Sequence, residues 1–239
     1  MGSSLQIFNR NYNTNNSSII LADMALDTIV FDLGGVIIPL DRQKCEASFR
    51  TLYQNNKGKD KADADFDAKY LQKWESGFFD LYERGGMSSA DFTEGLDNWL
   101  GCGAQAIIDA WNSLFGNIPV KHLEILKALS SNYTLCLLSN TNAIHMDWIR
   151  AHLTELGFPD FGAVFKTQYL SYELKLRKPD VAIYKAVQQK MGLESKQFVF
   201  IEDTAENLEG AQKAGWKVLA HPFNSPLENI IARIEALSL

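Results

Sequence analysis

An α/β fold built on a doubly wound parallel sheet, interrupted by an inserted block of helices, is what this 239-residue chain predicts. Three observations carry that expectation. Short apolar runs recur along the chain and end in polar or acidic residues, as fully buried parallel strands do at one edge of a sheet. From Val120 onward such runs alternate with helical stretches at βα spacing. About 100 residues separate the first run from the second, whereas a simple βαβ crossover needs about 30.

The first run is Thr28-Ile-Val-Phe31, and it meets Asp32, Leu33, Gly34, Gly35 and Val36 directly. A buried, unpaired carboxylate costs several kcal/mol, so Asp32 belongs at the open end of the strand, where α/β folds bind ligands. The glycines permit close backbone approach and positive φ. Asp32 is therefore a candidate nucleophile or metal ligand, although an Asp-initiated turn explains the residue equally well on its own. The interruption follows. It reads as helices over 45–53, 66–77, 88–100 and 104–115, with the polar stretch 55–64 as a loop. Ser88-Ser-Ala-Asp91 has capping-box spacing with Asp in place of Glu or Gln. The expected organisation is an extension over 1–23, a core over 24–41 and 117–239, and a helical insert over 42–116. Residues before Met24, a second candidate start, read as disordered.

The second run, Thr134-Leu-Cys-Leu-Leu138, ends in Ser139-Asn140-Thr141-Asn142. Arg177-Lys178-Pro179 sets a lysine before a proline at a helix start, where Pro is favoured. The third run, Phe198-Val-Phe-Ile201, ends in Glu202-Asp203-Thr204, and 226–239 reads as a closing helix.

Composition excludes several classes. A net charge of −6 argues against a nucleic-acid surface. No apolar stretch reaches the roughly 18 residues of a membrane span. Nothing at the start resembles a signal peptide. Three cysteines without CxxC spacing read as thiols in a reducing compartment, so the expected location is cytoplasmic. The oligomeric expectation is a monomer or homodimer.

With an acid, a hydroxyl, a lysine and an acidic pair in order, the chain resembles the haloacid dehalogenase superfamily of hydrolases over about Asp27 to Ala220. The matching stretches are Phe31-Asp-Leu-Gly-Gly-Val36, Leu138-Ser-Asn-Thr141, Arg177-Lys-Pro179 and Ile201-Glu-Asp203. The resemblance implies a Rossmann-like core with the insert as a helical cap over the active site. It implies Asp32 as nucleophile, forming an aspartyl-phosphate that water hydrolyses. It implies Mg2+ held by Asp32, the Gly34 carbonyl and Asp203, with Glu202 as a ligand or orienting its waters. Ser139 and the Asn140 backbone N–H would bind phosphate, and Lys178 would neutralise charge shared by nucleophile and phosphate. The polar segment Tyr82-Glu83-Arg84-Gly85-Gly86 would face the site and select substrate, through Glu83 and Arg84.

Each residue also has a bland explanation. Ser139-Asn140 could cap the following helix, Lys178 could be solvated, and Glu202-Asp203 could cap the helix from Ala205. His122, His145, His152 and His221 lack neighbours at ligand spacing and are assigned no chemistry. Trp74, Trp99 and Trp111 read as cap core rather than substrate stackers. One departure stands out: most phosphatases of the superfamily carry a second Asp two residues after the nucleophile, and Gly34 stands there. Dehalogenase and phosphonatase branches also lack it, but dehalogenases keep no acidic pair after the last motif strand. Within the superfamily the motifs look most like bacterial sugar phosphatases of the glucose-1-phosphatase type. The expectation is a Mg2+-dependent phosphatase of a small phosphorylated metabolite, such as a sugar phosphate. A dehalogenase or phosphonatase, or a catalytically weak phosphate-binding or regulatory protein, stands as the alternative.

Overall fold

A computed structural model describes residues 26–57 and 62–237. Five parallel strands form its centre: β1 (Thr28–Phe31), β2 (Thr134–Ser139), β3 (Thr167–Leu170), β4 (Phe198–Glu202) and β5 (Val218–Ala220). Their order is β3-β2-β1-β4-β5, so the chain winds outward through β2 and β3, then crosses back to β4 beside β1. Phe31 is level with Leu137 on one side and Ile201 on the other. That register brings Asp32, Ser139 and Glu202 to the same carboxyl edge, at the point where the winding reverses. Open α/β sheets bind ligands there.

After β1, and before the helix that leads into β2, the described residues of the insert form five helices: α1 (Arg42–Lys57), α2 (Ala62–Glu75), α3 (Phe78–Glu83), α4 (Ser89–Leu100) and α5 (Ala104–Asn112). They bury a separate, aromatic core of Phe49, Phe66, Phe79, Phe92 and Trp111. The capping box of α4 forms as its sequence predicts: Ser88 Oγ accepts from Asp91 N at 3.1 Å, and Asp91 Oδ2 accepts from Ser88 N at 3.2 Å. Helix α1 begins three residues earlier than the apolar pattern indicates, because Asp41 Oδ1 accepts from Lys44 N and caps it. It also runs on to Lys57, and α2 begins at Ala62, so the expected loop over 55–64 is in part helix. A solvated helix end carries no apolar period, which is why its polar residues read as loop. Trp99 and Trp111 join the cap core, but Trp74 is 45% exposed at the end of α2, contrary to expectation. The expected extension over 1–23 lies outside the described residues.

Six further helices complete the layers: α6 (Val120–Leu129), α7 (Ala143–Glu155), α8 (Ser171–Leu174), α9 (Val181–Met191), α10 (Ala205–Lys213) and α11 (Glu228–Glu235). Alternate strand residues feed two cores. Ile29 and Phe31 pack with α6, α7 and α11, whereas Val30, Phe198 and Phe200 pack with α9 and Trp216. Helix α11 is shorter than the predicted 226–239, since residues 222–227 form turns before it. The cap rests on this body through Ile144 of α7, which is buried in the cap core. Tyr82 Oη, from α3, accepts from the Ile144 N–H at 3.3 Å.

Gly210 shows how closely α10 approaches the loop before α9. A Cβ there would lie 2.3 Å from the Pro179 carbonyl oxygen. Inside an exposed helix, Gly→Ala stabilises by roughly 1 kcal/mol. Here Gly210→Ala should instead destabilise by about 1–3 kcal/mol through overpacking. Thermal unfolding checks this, and a raised Tm would refute the close contact.

Candidate active site

Each motif side chain sits at a strand end for a physical reason: the apolar run is buried, and its first polar residue emerges at the sheet's edge. Asp32 follows β1, Ser139 ends β2, and Glu202 ends β4. Lys178 comes from the loop between α8 and α9, and its side chain is 1% exposed. Buried charge on this scale requires partners. Lys178 Nζ lies 2.8 Å from Asp32 Oδ1 and 2.6 Å from Glu202 Oε2. The other Glu202 oxygen accepts from the N–H groups of Asp203 (3.1 Å) and Thr204 (3.0 Å). Glu202 is thus committed on both oxygens to holding Lys178 and the start of α10.

The backbone of Lys178 is fixed as well. Asn140 Oδ1 accepts from the Lys178 N–H, and Asn140 Nδ2 donates to the Lys178 carbonyl, both at 2.9 Å. The Asn140 side chain therefore positions the lysine. Ser139 is buried, and its Oγ makes only a 3.4 Å contact to the Asn140 carbonyl. The helix-capping explanation for this pair falls to Asn142, whose Oδ1 accepts from the His145 N–H at the head of α7.

Electrostatics at the centre are unbalanced. Burial, then Glu202, raises the Asp32 pKa to about 8 despite Lys178. Burial, then the adjacent Glu202, raises Asp203 to about 7. Burial would raise Glu202 too, but the Lys178 ammonium and the backbone donors outweigh it and hold that carboxyl low. Burial would lower Lys178, and its two carboxylate partners more than reverse this. One ammonium faces three carboxylates, whose oxygens lie within 4.8 Å of one another. Asp203 Oδ1 is buried without a hydrogen-bond partner among the described residues. An orphaned acceptor in an acidic, all-oxygen cluster fits a hard divalent cation.

The two glycines differ in purpose. Gly35 has φ +84°, and a Cβ on it would lie 2.7 Å from Asp203 Oδ2. Left-handed backbone thus brings Asp203 against the turn. Gly34 does not have positive φ; what opposes a side chain there is Leu40, whose Cδ1 would be 2.8 Å from the new Cβ. Asn224 holds Leu40 in place through both backbone groups, at 3.0 and 2.9 Å.

Above these groups is a cavity of about 620 Å³, lined by the core residues Asp32, Gly34, Ser139, Asn140, Lys178 and Asp203. Cap residues Arg42, Glu46, Tyr70, Trp74, Glu83 and Trp111 close it. Glu83 is on this lining, bound to Arg177 Nε at 2.8 Å. Arg84 is not. Its guanidinium is spent on Asp80 and Asp180, both at 2.7 Å, so it fastens the cap to the core instead of facing the cavity. A Cβ on Gly85 would be 2.1 Å from the Tyr172 carbonyl, and Lys175 Nζ donates to the Gly85 carbonyl. The segment 82–86 is clamped to the loop that carries Lys178. Sequence reasoning left Arg177 without a role, though its place beside Lys178 was a usable signal. For Arg42 and Glu46 the only signal was i,i+4 spacing on α1.

The four histidines remain without evident chemistry. His145 is the clearest case: Nε2 lies 3.3 Å from the Trp111 carbonyl and Nδ1 3.1 Å from Asn142 Nδ2. Burial drives its pKa down to about 3, so it is neutral. No helix of the described residues is long and apolar enough to cross a membrane.

Fold and site together mark a hydrolase of the doubly wound α/β type with a helical cap. The family model for haloacid dehalogenase-like hydrolases matches residues 26–215, and the chain belongs to that family. A D-ribitol-5-phosphate phosphatase from Bacteroides thetaiotaomicron is 29% identical over 203 residues, covering 80% of this chain and 90% of that protein. A HAD family enzyme of the same organism, solved in complex with magnesium and inorganic phosphate, is 31% identical with a TM-score of 0.75. That alignment covers 86% of this chain and 99% of the solved one. A HAD-like hydrolase from Porphyromonas gingivalis is 25% identical, with a TM-score of 0.73 over 89% of this chain and 98% of that one.

The raised acids make a sign-definite prediction. Without a cation, folded Asp203 and Asp32 keep protons that the unfolded chain releases near pH 4. The stability this contributes is complete below that value and is lost as pH rises through about 7 and 8. Metal-free protein should therefore weaken steadily from about pH 4 to about pH 8, and no further above that from these two groups. Added Mg2+ should raise Tm more at the upper pH than at the lower. Equal Mg2+ shifts at both would contradict the assignment.

Proposed function

We propose that this chain is a Mg2+-dependent phosphatase acting on a small phosphorylated metabolite of the sugar- or polyol-phosphate class, in the cytoplasm. The observation that carries the reading is Asp32 in the cavity between core and cap, 2.8 Å from Lys178 Nζ, beside an Asp203 oxygen that has no partner among the described residues. The phosphatase relative from Bacteroides and the magnesium- and phosphate-bound structure support the substrate class and the metal. The unpartnered acid also favours phosphoryl chemistry over metal-free dehalogenation.

In this reading the Asp32 carboxylate attacks phosphorus in line. The bond to the leaving oxygen breaks, and water then hydrolyses the aspartyl-phosphate, regenerating Asp32 and releasing inorganic phosphate. Mg2+, held by Asp32, the Gly34 carbonyl and Asp203, supplies positive charge for the phosphoryl oxygens and keeps Asp32 ionised. Glu202 orients Lys178 and stays out of the inner sphere, because both its oxygens are engaged. Lys178 neutralises charge as it builds on the phosphoryl group, while Ser139 Oγ and the Asn140 backbone N–H bind its oxygens. Glu83 and Arg177 form the charged wall on the cap side.

Asp32→Asn should leave folding intact and lower turnover by many orders of magnitude, since an amide cannot serve as the carboxylate nucleophile. The assay is phosphate release from a panel of phosphorylated metabolites, with Mg2+ or with excess chelator. A variant retaining more than a tenth of activity removes Asp32 from the role. Full activity in chelator removes the metal.

The gap at Gly34 leaves the leaving group without a neighbouring acid, a loss typically worth about 10²–10⁴-fold where protonation matters. Wild-type turnover should accordingly favour aryl over alkyl phosphates. Gly34→Asp alone should gain little, because its Cβ meets Leu40. Gly34→Asp with Leu40→Ala should speed alkyl phosphates selectively. A flat aryl-to-alkyl series in the wild type would mean that another group, Glu83 first among them, already supplies the proton.

A further inference from the structure

Two lining side chains of the cavity carry a buried polar atom that has no partner among the described residues: Asp203 Oδ1 on the core side and Trp111 Nε1 on the cap side. The first is an acceptor and fits a cation. The second is a donor only, and it fits an oxygen. A buried N–H left without a partner is destabilising, so buried tryptophans normally find an acceptor.

The indole is not free to turn toward a better neighbour. Trp111 is 3% exposed and stacks with Phe79 at 5.2 Å and 13° and with His145 at 4.8 Å and 18°. Its own carbonyl lies 3.3 Å from His145 Nε2, which fixes the end of α5 against α7. So the ring belongs to the cap core while part of it borders the cavity, which is why helix periodicity alone counts it as core. The neighbourhood also selects the kind of oxygen. Phe79, Phe92 and Phe115 are apolar, and His145 is neutral, with Nε2 turned to a carbonyl. The cationic side chains of the lining are engaged elsewhere, Arg177 with Glu83 at 2.8 Å and Arg42 over the Phe223 ring at 5.7 Å, so an anion against the indole would cost far more than a hydroxyl.

We infer that Trp111 Nε1–H is a specificity-determining donor that binds an uncharged hydroxyl of the substrate's carbon skeleton, at the cap end of the cavity from the phosphate. This rests on the phosphatase reading and deepens it: the substrate is a hydroxylated phosphate monoester with one phosphate and no second anion near the cap core. Bare phenyl phosphate reaches the Asp32 end but offers nothing to this donor.

The test compares wild type and Trp111→Phe, which keeps an aromatic ring for the stack and removes the N–H. Substrates are D-ribitol 5-phosphate, its monodeoxy analogues and phenyl phosphate. Trp111→Phe should lose about 10- to 100-fold in kcat/KM on the polyol phosphate and less than about 2-fold on phenyl phosphate. One deoxy analogue should show the same loss in the wild type and no further loss in the variant. Equal losses on both substrate types, no loss on the polyol phosphate, or a flat deoxy series in the wild type would each overturn the assignment. Should Trp111→Phe fail to fold, the wild-type protein decides. On binding a non-hydrolysable phosphonate analogue of the polyol phosphate, the Trp111 indole proton should shift downfield in its NMR spectrum, and an unmoved resonance refutes the contact. Failure of the wild type to hydrolyse any phosphate monoester would sink the phosphatase reading instead, a result that the other outcomes cannot mimic.

Discussion

Lys178 buried between Asp32 and Glu202 is the interaction on which the rest of this structure depends. An ammonium at 1% exposure is sustainable only with carboxylates within contact distance, and here there is one on each of two adjacent strands. Removing Lys178 would strand two carboxylates in an apolar interior, a loss of several kcal/mol, whereas neutralising Asp32 leaves the ammonium paired with Glu202. The backbone is arranged to prevent it. Asn140 pins the lysine's peptide from both sides, and the N–H groups opening α10 pin Glu202. Parallel pairing of β1 with β4 sets the two acids level.

That triad, with Asp203 beside it, sets three acids against one ammonium. Both Glu202 oxygens are engaged, whereas Asp203 Oδ1 has no partner among the described residues. The two neighbouring acids of one dipeptide thereby acquire different tasks: one anchors the lysine, the other awaits a cation. Gly35, in left-handed backbone, lets the β1 loop come near enough for Asp203 to join Asp32. At Gly34 the space a side chain would take is filled by the apolar Leu40.

How much of this was legible in sequence follows from the physics of each part. A strand buried on both faces must be a continuous apolar run, so Thr28-Ile-Val-Phe31 and Phe198-Val-Phe-Ile201 declare themselves, and the charge ending each run marks the sheet's edge. The capping box at Ser88 is equally local. What was not legible depends on the meeting of distant segments. Arg84 looked available in a polar, glycine-rich stretch, but Asp180, 96 residues away, takes its guanidinium. Trp74 and Trp111 have similar local patterns, and only packing separates a rim residue from a core ring bordering the cavity. The polar end of α1 carried no period, so its helix was invisible until folded.

The clamp by Asn224 has a consequence for assembly. Its side chain closes on Leu40 across 184 positions, and its N–H donates to the Gly35 carbonyl. The loop beside the nucleophile is therefore completed by a residue close to the far end of the chain. Loop closure over such a span is entropically costly. A change at Asn224 would therefore be felt at Leu40 and Gly35, beside the acidic cluster, although the two segments are far apart in sequence.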